Sequence, residues 1–199
     1  MRIKHILSDL DGVIRLYPEN RDHAIEGKYQ LPKGSLFNSA FRNPLLQEVV
    51  CGRITDDLWR VDILKRLKSI STDSVAESAF AEWNSFPGSV DSRYLLSLKE
   101  RFNGLDISIL TNGTDRLKSD LHKLGISNSF NRIFNSSEIG YCKPQVEIYH
   151  HVISELGLSP SEILFIDDSK AHIDAAQNIG FKTIHYKSFD LFQTEINSL

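Results

Sequence analysis

Four aspartates, arranged as two pairs, are the side chains of this sequence best suited to chemistry. Asp9 and Asp11 follow the first apolar run of the chain, and Asp167 and Asp168 follow a later one. Apolar residues follow one another in both runs instead of alternating with polar ones, which predicts strands buried in a parallel sheet. A single aspartate after a strand is more often a turn residue or a helix cap. Four of them at two strand ends indicate a binding or catalytic site.

Carboxylates held close together must either take up protons or bind a cation. At about 4 Å and an effective dielectric constant of about 20, two carboxylates repel each other by about 4 kcal/mol. An all-oxygen ligand set suits Mg²⁺, which is often held by one or two carboxylates, several waters and a substrate phosphate. We therefore expect Mg²⁺ as a cofactor. Gly12, which follows Asp11, would allow a sharp turn close to a ligand, although an ordinary turn glycine is an equally good interpretation.

An α/β sheet would bring these strand ends together. Helices are expected from Asp115 to Leu124, after Pro144, and from Ser169 to Gly180. Their alternation with strands is typical of a doubly wound, Rossmann-like parallel sheet with helices on both faces. The apolar runs predicted to be strands are Ile3 to Leu7, Ile107 to Leu110, Arg132 to Phe134, Ile163 to Ile166, and Thr183 to His185.

The order of the strands decides which polar side chains meet. In an open parallel sheet the carboxyl ends of the strands line the ligand crevice, chiefly where the strand order reverses. Thr111 and Asn112 follow the second predicted strand. If the first strand is central, with the second and fourth beside it, these two residues lie next to the four aspartates.

The chain from 16 to 87 lacks a comparable strand and is predicted to be a helical cap. Residues 1 to 15 and 88 to 199 are expected to form the α/β catalytic core. Thr55 and Thr72 are candidate N-caps within the cap. The helices expected there are Arg21 to Tyr29, Lys33 to Phe41, Pro44 to Val50, Thr55 to Leu67, and Thr72 to Phe86. The fourth of these helices is predicted to bury Leu58, Val61, Leu64 and Leu67 on one face.

Composition excludes several classes of protein. The 199 residues carry a formal charge of −3 and are 41% hydrophobic, which fits a folded globular chain and offers no polycation for nucleic acid or an anionic membrane. Cys51 and Cys142 lack the spacing of a metal site, so we expect reduced thiols. No apolar run reaches the ~18 residues of a spanning helix. We expect a cytoplasmic protein, either a monomer or a homodimer.

Four segments of the chain resemble the four sequence motifs of the haloacid dehalogenase superfamily, in the same order. The likeness extends over essentially the whole chain, including cap segments such as LPKGSLFNSAF and GRITDDLWRVDIL. It is most specific for small helical-capped sugar-phosphate phosphatases such as glucose-1-phosphate phosphatase, and for the phosphatase domain of soluble epoxide hydrolase. The segments are DLDGVI at 9–14, ILTNG at 109–113, GYCKPQVEIY at 140–149 and FIDDS at 165–169.

This resemblance implies a role for each matching residue. Asp9 corresponds to the nucleophile that forms an aspartyl-phosphate. Asp11 corresponds to the general acid and base, which protonates the leaving group and then activates water. Thr111 would bind the transferring phosphoryl group, and Lys143 would neutralise both the nucleophile and the phosphoryl charge.

The resemblance also implies a metal site and a phosphate-binding site. Phosphate would contact the backbone N–H groups of Leu10, Asn112 and Gly113 as well as Thr111 and Lys143. The metal set is Asp9, Asp11, Asp167 and Asp168, with Asp11 acting through its backbone carbonyl; which of the last two contacts the ion directly is left open. The implied activity is Mg²⁺-dependent hydrolysis of a small phosphate monoester, either a sugar phosphate or a nucleotide-like metabolite.

Three alternatives share this fold: a phosphoryl-transferring mutase, a haloacid dehalogenase, and a binding or regulatory protein without turnover. Haloacid dehalogenases lack an aspartate two residues after the nucleophile, so Asp11 favours phosphoryl chemistry. The intact set of motif residues argues against a protein that only binds.

Several other residues are weaker candidates. His172 stands where relatives often have Asn, and a hydrogen-bond partner of the metal-site aspartates is the favoured interpretation. Cys142 beside Lys143 could be an activated thiol, but no His partner is identifiable. Arg15, Arg42 and Arg53 could reach an anionic substrate from the cap side, although solvated surface arginines are commoner. Aromatic residues of the cap are expected to form its core; they are Trp59, Trp83 and Phe86.

Overall fold

A five-stranded parallel sheet forms the centre of the protein, which is described for residues 2–198 by a computed structural model. The strands in chain order are β1 (His5–Ser8), β2 (Arg15–Leu16), β3 (Ser89–Val90), β4 (Asp106–Thr111), β5 (Arg132–Asn135), β6 (Ile163–Asp167) and β7 (Lys182–His185). The large sheet has the order β5-β4-β1-β6-β7, with every neighbouring pair parallel. The doubly wound α/β fold is confirmed, and β1 is central with β4 and β6 on either side.

Helices cover both faces of this sheet. They are α1 (Arg21–Lys28), α2 (Ser35–Phe41), α3 (Leu45–Val50), α4 (Asp56–Lys68), α5 (Asp73–Ser85), α6 (Ser92–Arg101), α7 (Leu117–Lys123), α8 (Ser136–Ile139), α9 (Val146–Leu156), α10 (Lys170–Ile179) and α11 (Phe189–Asn197). Successive strand residues point to opposite faces. On β1, Ile6 belongs to the hydrophobic cluster with α6, α7 and α11, and Leu7 to the cluster with α9 and α10.

Two core helices, α6 and α11, were not among the predicted elements. Both are amphipathic and pack on the same face of the sheet through Tyr94, Leu98, Phe192 and Ile196. Asp91 caps α6 by accepting hydrogen bonds from the backbone of the first turn. α9 lies where a helix was expected, and Val146, at its first position, is exposed.

Helices α1 to α5 all lie between residues 16 and 87 and share a hydrophobic cluster that contains no strand residue. Thr55 and Thr72 accept hydrogen bonds from Leu58 N and Val75 N, as N-caps do. The division into core and cap at these boundaries stays a prediction.

The predicted buried face of α4 is wrong for its first half. Leu58 and Val61 are 57% and 65% exposed, whereas Leu67 is buried as predicted and Leu64 is partly buried. The buried positions of the helix are Asp56, Trp59, Ile63 and Leu67. Both sets are spaced by three or four residues, so both satisfy helical periodicity. The actual face includes a buried aspartate, which hydrophobicity alone assigns to solvent.

The segment bearing α1 to α5 joins the core through a two-stranded antiparallel ribbon. β2, at the start of that segment, pairs with β3, just after its end, in the register Arg15 with Val90 and Leu16 with Ser89. Within residues 2–198, no helix has the length and apolar character required to cross a membrane.

Candidate active site

The carboxyl ends of β1, β4 and β6 meet at the centre of the sheet, where a cavity of about 320 Å³ opens. Most of the residues predicted to do chemistry lie around it. Its lining consists of Asp9, Asp11, Gly12, Thr111, Asn112, Lys143, Asp168 and His172. Three strands that are far apart in the sequence therefore bring their polar ends to one place, as expected from their order in the sheet.

A buried ionic cluster forms the floor of this cavity. Lys143 Nζ lies 2.8 Å from Asp9 Oδ1 and 2.7 Å from Asp167 Oδ2. Burial raises the pKa of Asp9 well above its usual range, although the charge of Lys143 acts in the opposite direction. The pKa of Lys143 is raised, since the two carboxylates outweigh the effect of burial. The lysine therefore stays charged, and its charge favours the ionised forms of both carboxylates.

Asp167 is enclosed by hydrogen-bond donors. Besides Lys143, the Ser169 backbone N–H donates to Asp167 Oδ1 at 2.8 Å, and His172 Nδ1 lies 3.0 Å from the same oxygen. Burial alone would raise the pKa of Asp167, but Lys143 and His172 lower it to about 2. His172 is thus a hydrogen-bond partner of the acidic cluster, which is the interpretation that the sequence favours.

Asp168 is placed differently from its neighbour, because it borders the cavity instead of lying beneath it. Burial and the nearby charge of Asp167 raise its pKa. The turn at Gly12 packs against this carboxylate: Gly12 has a φ of +80°, and a Cβ atom there would lie 2.1 Å from Asp168 Oδ2. Glycine is therefore required at this position both for the backbone conformation and for space.

Asp11 is held by Arg15, which the sequence left open as either a substrate contact or a solvated surface arginine. Arg15 Nε and one terminal nitrogen donate to the two oxygens of Asp11 at 2.6 and 2.7 Å, and the guanidinium also lies 3.4 Å from Asp120. Arg15 is buried. This fork-shaped pair fixes the orientation of the Asp11 carboxylate, and the spacing of four residues between the partners is the sequence signal that could have revealed it.

The loops after β4 and before α9 are locked together by reciprocal hydrogen bonds. Asn112 Nδ2 donates to the Lys143 carbonyl at 2.9 Å, and the Lys143 backbone N–H donates to Asn112 Oδ1 at 2.8 Å. Thr111 is buried at the end of β4 and borders the cavity. The Leu10 backbone N–H donates to Asp9 Oδ1 at 2.7 Å. Gly113 lines a second, larger cavity next to the first.

The residues at this site fit a divalent cation. The buried ammonium group of Lys143 pairs with Asp9 and Asp167, and the carboxylate of Asp168 borders the same cavity. Potential ligand atoms of Asp9, Asp167 and His172 lie within 4.8 Å of one another. Burial raises the pKa values of Asp9 and Asp168, so additional positive charge at this place would stabilise their ionised forms. Hard oxygen donors with an excess of negative charge suit Mg²⁺.

The larger cavity, of about 960 Å³, lies between the site and helices α1 to α5. Arg42 borders it and lies over the ring of Phe37, 6.0 Å from its centroid. Arg53 pairs with Glu48 at 2.8 Å and lies outside the lining. Of the three arginines considered as substrate contacts, only Arg42 is accessible at this cavity without a carboxylate partner among the ion pairs described.

The two cysteines come close together beside the site. Both sulfurs approach Gln145 Oε1, Cys142 at 3.5 Å and Cys51 at 3.9 Å. Burial, together with the neighbouring Cys51, raises the pKa of the Cys142 thiol to about 12. A thiol with this pKa is protonated at neutral pH and does not act as a nucleophile.

Comparisons with known proteins agree with this architecture. The haloacid dehalogenase-like hydrolase family matches residues 3–180. The D-ribitol-5-phosphate phosphatase of Bacteroides thetaiotaomicron is 25% identical over 195 residues, which cover 91% of this chain and 90% of that protein. A magnesium complex of a haloacid dehalogenase family enzyme from the same organism is 26% identical, with a TM-score of 0.73 and coverage of 96% and 99% of the two chains. A complex of that enzyme with magnesium and inorganic phosphate has a TM-score of 0.68 at 25% identity, covering 94% and 96%.

The chain therefore belongs to the haloacid dehalogenase-like hydrolase family. The family match and the observed order of the strands both agree with the resemblance of the four motifs.

Proposed function

We propose that this protein is a Mg²⁺-dependent phosphatase that hydrolyses a small phosphate monoester through an aspartyl-phosphate. The arrangement of Asp9 and Asp11 supports this proposal above all. Asp9 is paired with a buried lysine, whereas Asp11 is held apart by Arg15 and borders both cavities. Two carboxylates in different electrostatic settings can act as nucleophile and as proton carrier in one reaction.

Asp9 is the proposed nucleophile. Its Oδ1 accepts hydrogen bonds from Leu10 N and Lys143 Nζ. A carboxylate anchored through one oxygen can attack phosphorus with the other and expel the alcohol. Lys143 stabilises the charge before and after this step, and Thr111 binds the transferring group together with backbone N–H groups of Leu10, Asn112 and Gly113.

Asp11 is the proposed general acid and base. It borders the larger cavity, on the side where a leaving alcohol would lie. Protonated Asp11 would donate its proton to the leaving oxygen, and the resulting carboxylate would then remove a proton from the water that hydrolyses the aspartyl-phosphate. Arg15 touches no reacting atom in this scheme and is a positioning residue.

Mg²⁺ would be held by Asp9, by Asp168 and by the Asp11 backbone carbonyl. We assign Asp167 to support of this set, because both of its oxygens already interact with Lys143 or His172. When bound, the ion supplies positive charge to the phosphoryl oxygens and to the crowded carboxylates. Small sugar phosphates and nucleotide-like metabolites are the substrates that the sequence suggests. The cytoplasmic location and the state as monomer or homodimer stay predictions.

The test is hydrolysis of p-nitrophenyl phosphate with Mg²⁺ and with excess chelator. We expect release of inorganic phosphate that requires the metal. Asp11→Asn should reduce turnover by about 10² to 10⁴-fold, because the proton carrier is lost. Full activity in chelator would contradict the metal assignment.

Product analysis separates the proposal from its main alternative. A phosphatase releases inorganic phosphate, whereas a mutase returns the phosphoryl group to a hydroxyl of an organic substrate. Trapping of phosphate on Asp9, located by mass spectrometry after acid quench, would test the covalent intermediate. Turnover without any label on that residue would count against the aspartyl-phosphate.

A further inference from the structure

The larger cavity contains an unusual concentration of accessible aromatic rings. Tyr17, Phe37, Phe41 and Phe86 are between 38% and 47% exposed, and all four border this one cavity. Accessible apolar side chains scattered singly need no explanation, but a contiguous group in a concave site indicates a hydrophobic ligand.

These rings form two connected walls. On one side, Phe37 lies 5.4 Å from Phe41, and Phe41 lies 6.5 Å from Trp83 in edge-to-face contact. On the other, Tyr17 and Phe86 are 6.1 Å apart, also edge to face. In the first wall Phe41 packs against the buried ring of Trp83, and in the second Tyr17 lies 5.8 Å from the guanidinium carbon of the buried Arg15.

Several charged side chains of this cavity are paired with one another, although Arg42 and Lys33 also border it and take part in none of the ion pairs described. Arg60 pairs with Asp56, Arg116 with Asp120 at 3.2 Å, and Arg15 with Asp11. Such pairs are expensive to break in a partly buried site. A ligand rich in hydroxyl groups needs polar partners that are available, and these pairs offer few.

Arg21 and Glu26 are also engaged within the protein. Arg21 donates to the Trp83 carbonyl, and its guanidinium carbon lies 5.2 Å from the centroid of Tyr17 and 5.6 Å from that of Phe86. The two oxygens of Glu26 accept the backbone N–H groups of residues 34 and 36. The apolar walls are therefore the surface best able to contact a ligand.

The two cavities share part of their lining. Asp11 and Asn112 border both of them. A phosphate held at the strand ends in the 320 Å³ cavity would direct the rest of its molecule into the 960 Å³ cavity. The larger volume is near the upper end of the ~300 to 1,000 Å³ range of sites for drug-sized ligands, and a pentitol or hexose would fill little of it.

We infer that the preferred substrate carries a bulky, uncharged, apolar alcohol group, such as a long hydrocarbon chain or a fused ring. This inference rests on the proposed phosphatase function but departs from the sugar phosphates and nucleotide-like metabolites that the sequence suggests. It places the polyol phosphates, and nucleotides with their polar bases and sugars, among the poorer substrates.

The kinetic test compares kcat/KM, with Mg²⁺, for matched phosphate monoesters. The apolar arm is butyl, octyl and 1-naphthyl phosphate; the polar arm is ribitol 5-phosphate, glucose 1-phosphate and adenosine monophosphate. Each buried methylene can contribute up to about 4-fold, so octyl phosphate should exceed butyl phosphate by about tenfold or more. A higher kcat/KM for any member of the polar arm than for octyl phosphate would overturn the inference.

Variants locate the effect in the cavity. Phe41→Ala should flatten the rise in kcat/KM from butyl to octyl phosphate, because the wall is interrupted. Leu191→Ala is the matched control, since Leu191 is also an exposed apolar residue but lies outside the cavity lining. An equally steep rise in both variants would show that chain-length selectivity arises elsewhere.

A binding measurement separates failure of this inference from failure of the proposed function. The two tryptophans of the chain, Trp59 and Trp83, both line the cavity, so tryptophan fluorescence reports its occupancy. Octylphosphonate, which cannot be hydrolysed, should change the fluorescence saturably at concentrations at least about tenfold lower than methylphosphonate. If octylphosphonate binds in this way but p-nitrophenyl phosphate is not hydrolysed, the apolar site is supported and the phosphatase function is rejected. If p-nitrophenyl phosphate is hydrolysed but the two phosphonates have equal midpoints, the phosphatase function is supported and the apolar site is rejected.

Discussion

The strand ends of the core and the helical segment above them handle charge in opposite ways. At the strand ends, Asp9 and Asp167 share the buried ammonium group of Lys143 and Asp168 borders the same cavity, so carboxylates outnumber the buried cation. In the helical segment, several acids are paired with bases, as Asp56 is with Arg60 and Asp62 with Arg66, and aromatic rings are accessible at the larger cavity. An excess of charge suits a site that binds a cation and a phosphate. Balanced charge with accessible rings suits a site that selects an apolar group.

This contrast assigns the reaction to the strand ends and the choice of substrate to the helical segment. Changes at the strand ends should affect every substrate alike, because every substrate presents the same phosphate. Changes in the helical segment should alter the ranking of substrates or the stability of the segment. The predictions below test this separation.

The largest effect is expected from Asp9→Asn. An amide cannot form the proposed acyl phosphate, so kcat/KM should fall by at least about 10⁴-fold for all substrates. The measurement is steady-state hydrolysis of the apolar and polar panels. Asp57→Asn, on the exposed surface of α4, is the control for loss of an aspartate. Substrate-dependent loss in the Asp9 variant would contradict the separation.

Gly12→Ala is expected to weaken metal binding. The added Cβ would lie 2.1 Å from Asp168 Oδ2, so the carboxylate must move. Displaced support around a metal site costs about 10- to 100-fold in affinity, read from the Mg²⁺ concentration that gives half-maximal activity. Gly104→Ala is matched, because Gly104 also has a positive φ, +83°, but no atom lies within 4 Å of its added Cβ. Equal effects of the two substitutions would mean that backbone strain alone is responsible.

Asp56→Ala should loosen the contact between α4 and the loop after β4. Asp56 Oδ1 accepts the Thr114 hydroxyl at 2.9 Å, and its other oxygen pairs with Arg60. Removing a buried partner leaves an arginine and a hydroxyl unsatisfied, with an expected loss of about 2 to 3 kcal/mol in the free energy of unfolding. Urea denaturation measures this loss. Asp57→Ala, one residue along the same helix, should change stability by less than about 0.5 kcal/mol.

Glu26→Gln, a substitution within the helical segment, tests how this buried carboxylate affects stability and how that effect depends on pH. Burial alone would raise the pKa of Glu26, but hydrogen bonds from the backbone at Gly34 and Leu36 and from His23 lower it. A carboxyl with a lowered pKa in the folded state stabilises the protein above its unfolded pKa, and this contribution is lost as pH falls through the folded value. We expect the substitution to lower the free energy of unfolding, measured by urea denaturation, by about 1 kcal/mol at pH 7. Near pH 3 the difference between the variant and the original protein should be smaller. Glu195→Gln, at an exposed position, is the control; a difference independent of pH would show that the carboxylate charge is not responsible.

The sheet could be read from the sequence because buried parallel strands leave a simple pattern. Each is a continuous apolar run, and the polar residues that follow β1, β4 and β6 mark the crevice. Gly125, Gly157 and Gly180 mark the ends of the helical regions that alternate with strands, because each has a positive φ that closes the preceding turns.

The rest depends on contacts between residues that are distant along the chain. The buried face of α4 could not be identified because Asp56 is stabilised by Thr114, 58 positions away. The pairing of Arg15 with Asp11 follows from local spacing, but its burial depends on the fold around Asp120. The aromatic walls combine rings that range from Tyr17 to Phe86 along the chain, and no short motif predicts that they come together.

The ribbon formed by β2 and β3 also bears on how such a protein can diversify. The chain leaves the core at Arg15 and Leu16 and returns at Ser89 and Val90, and these residues are hydrogen-bonded neighbours. A segment whose two ends lie side by side can be lengthened, shortened or exchanged by recombination without altering the distance that the core must span. We expect a chimera that joins the ribbon of this protein to a foreign cap to retain the five-stranded sheet and its chemistry while acquiring the donor's choice of alcohol.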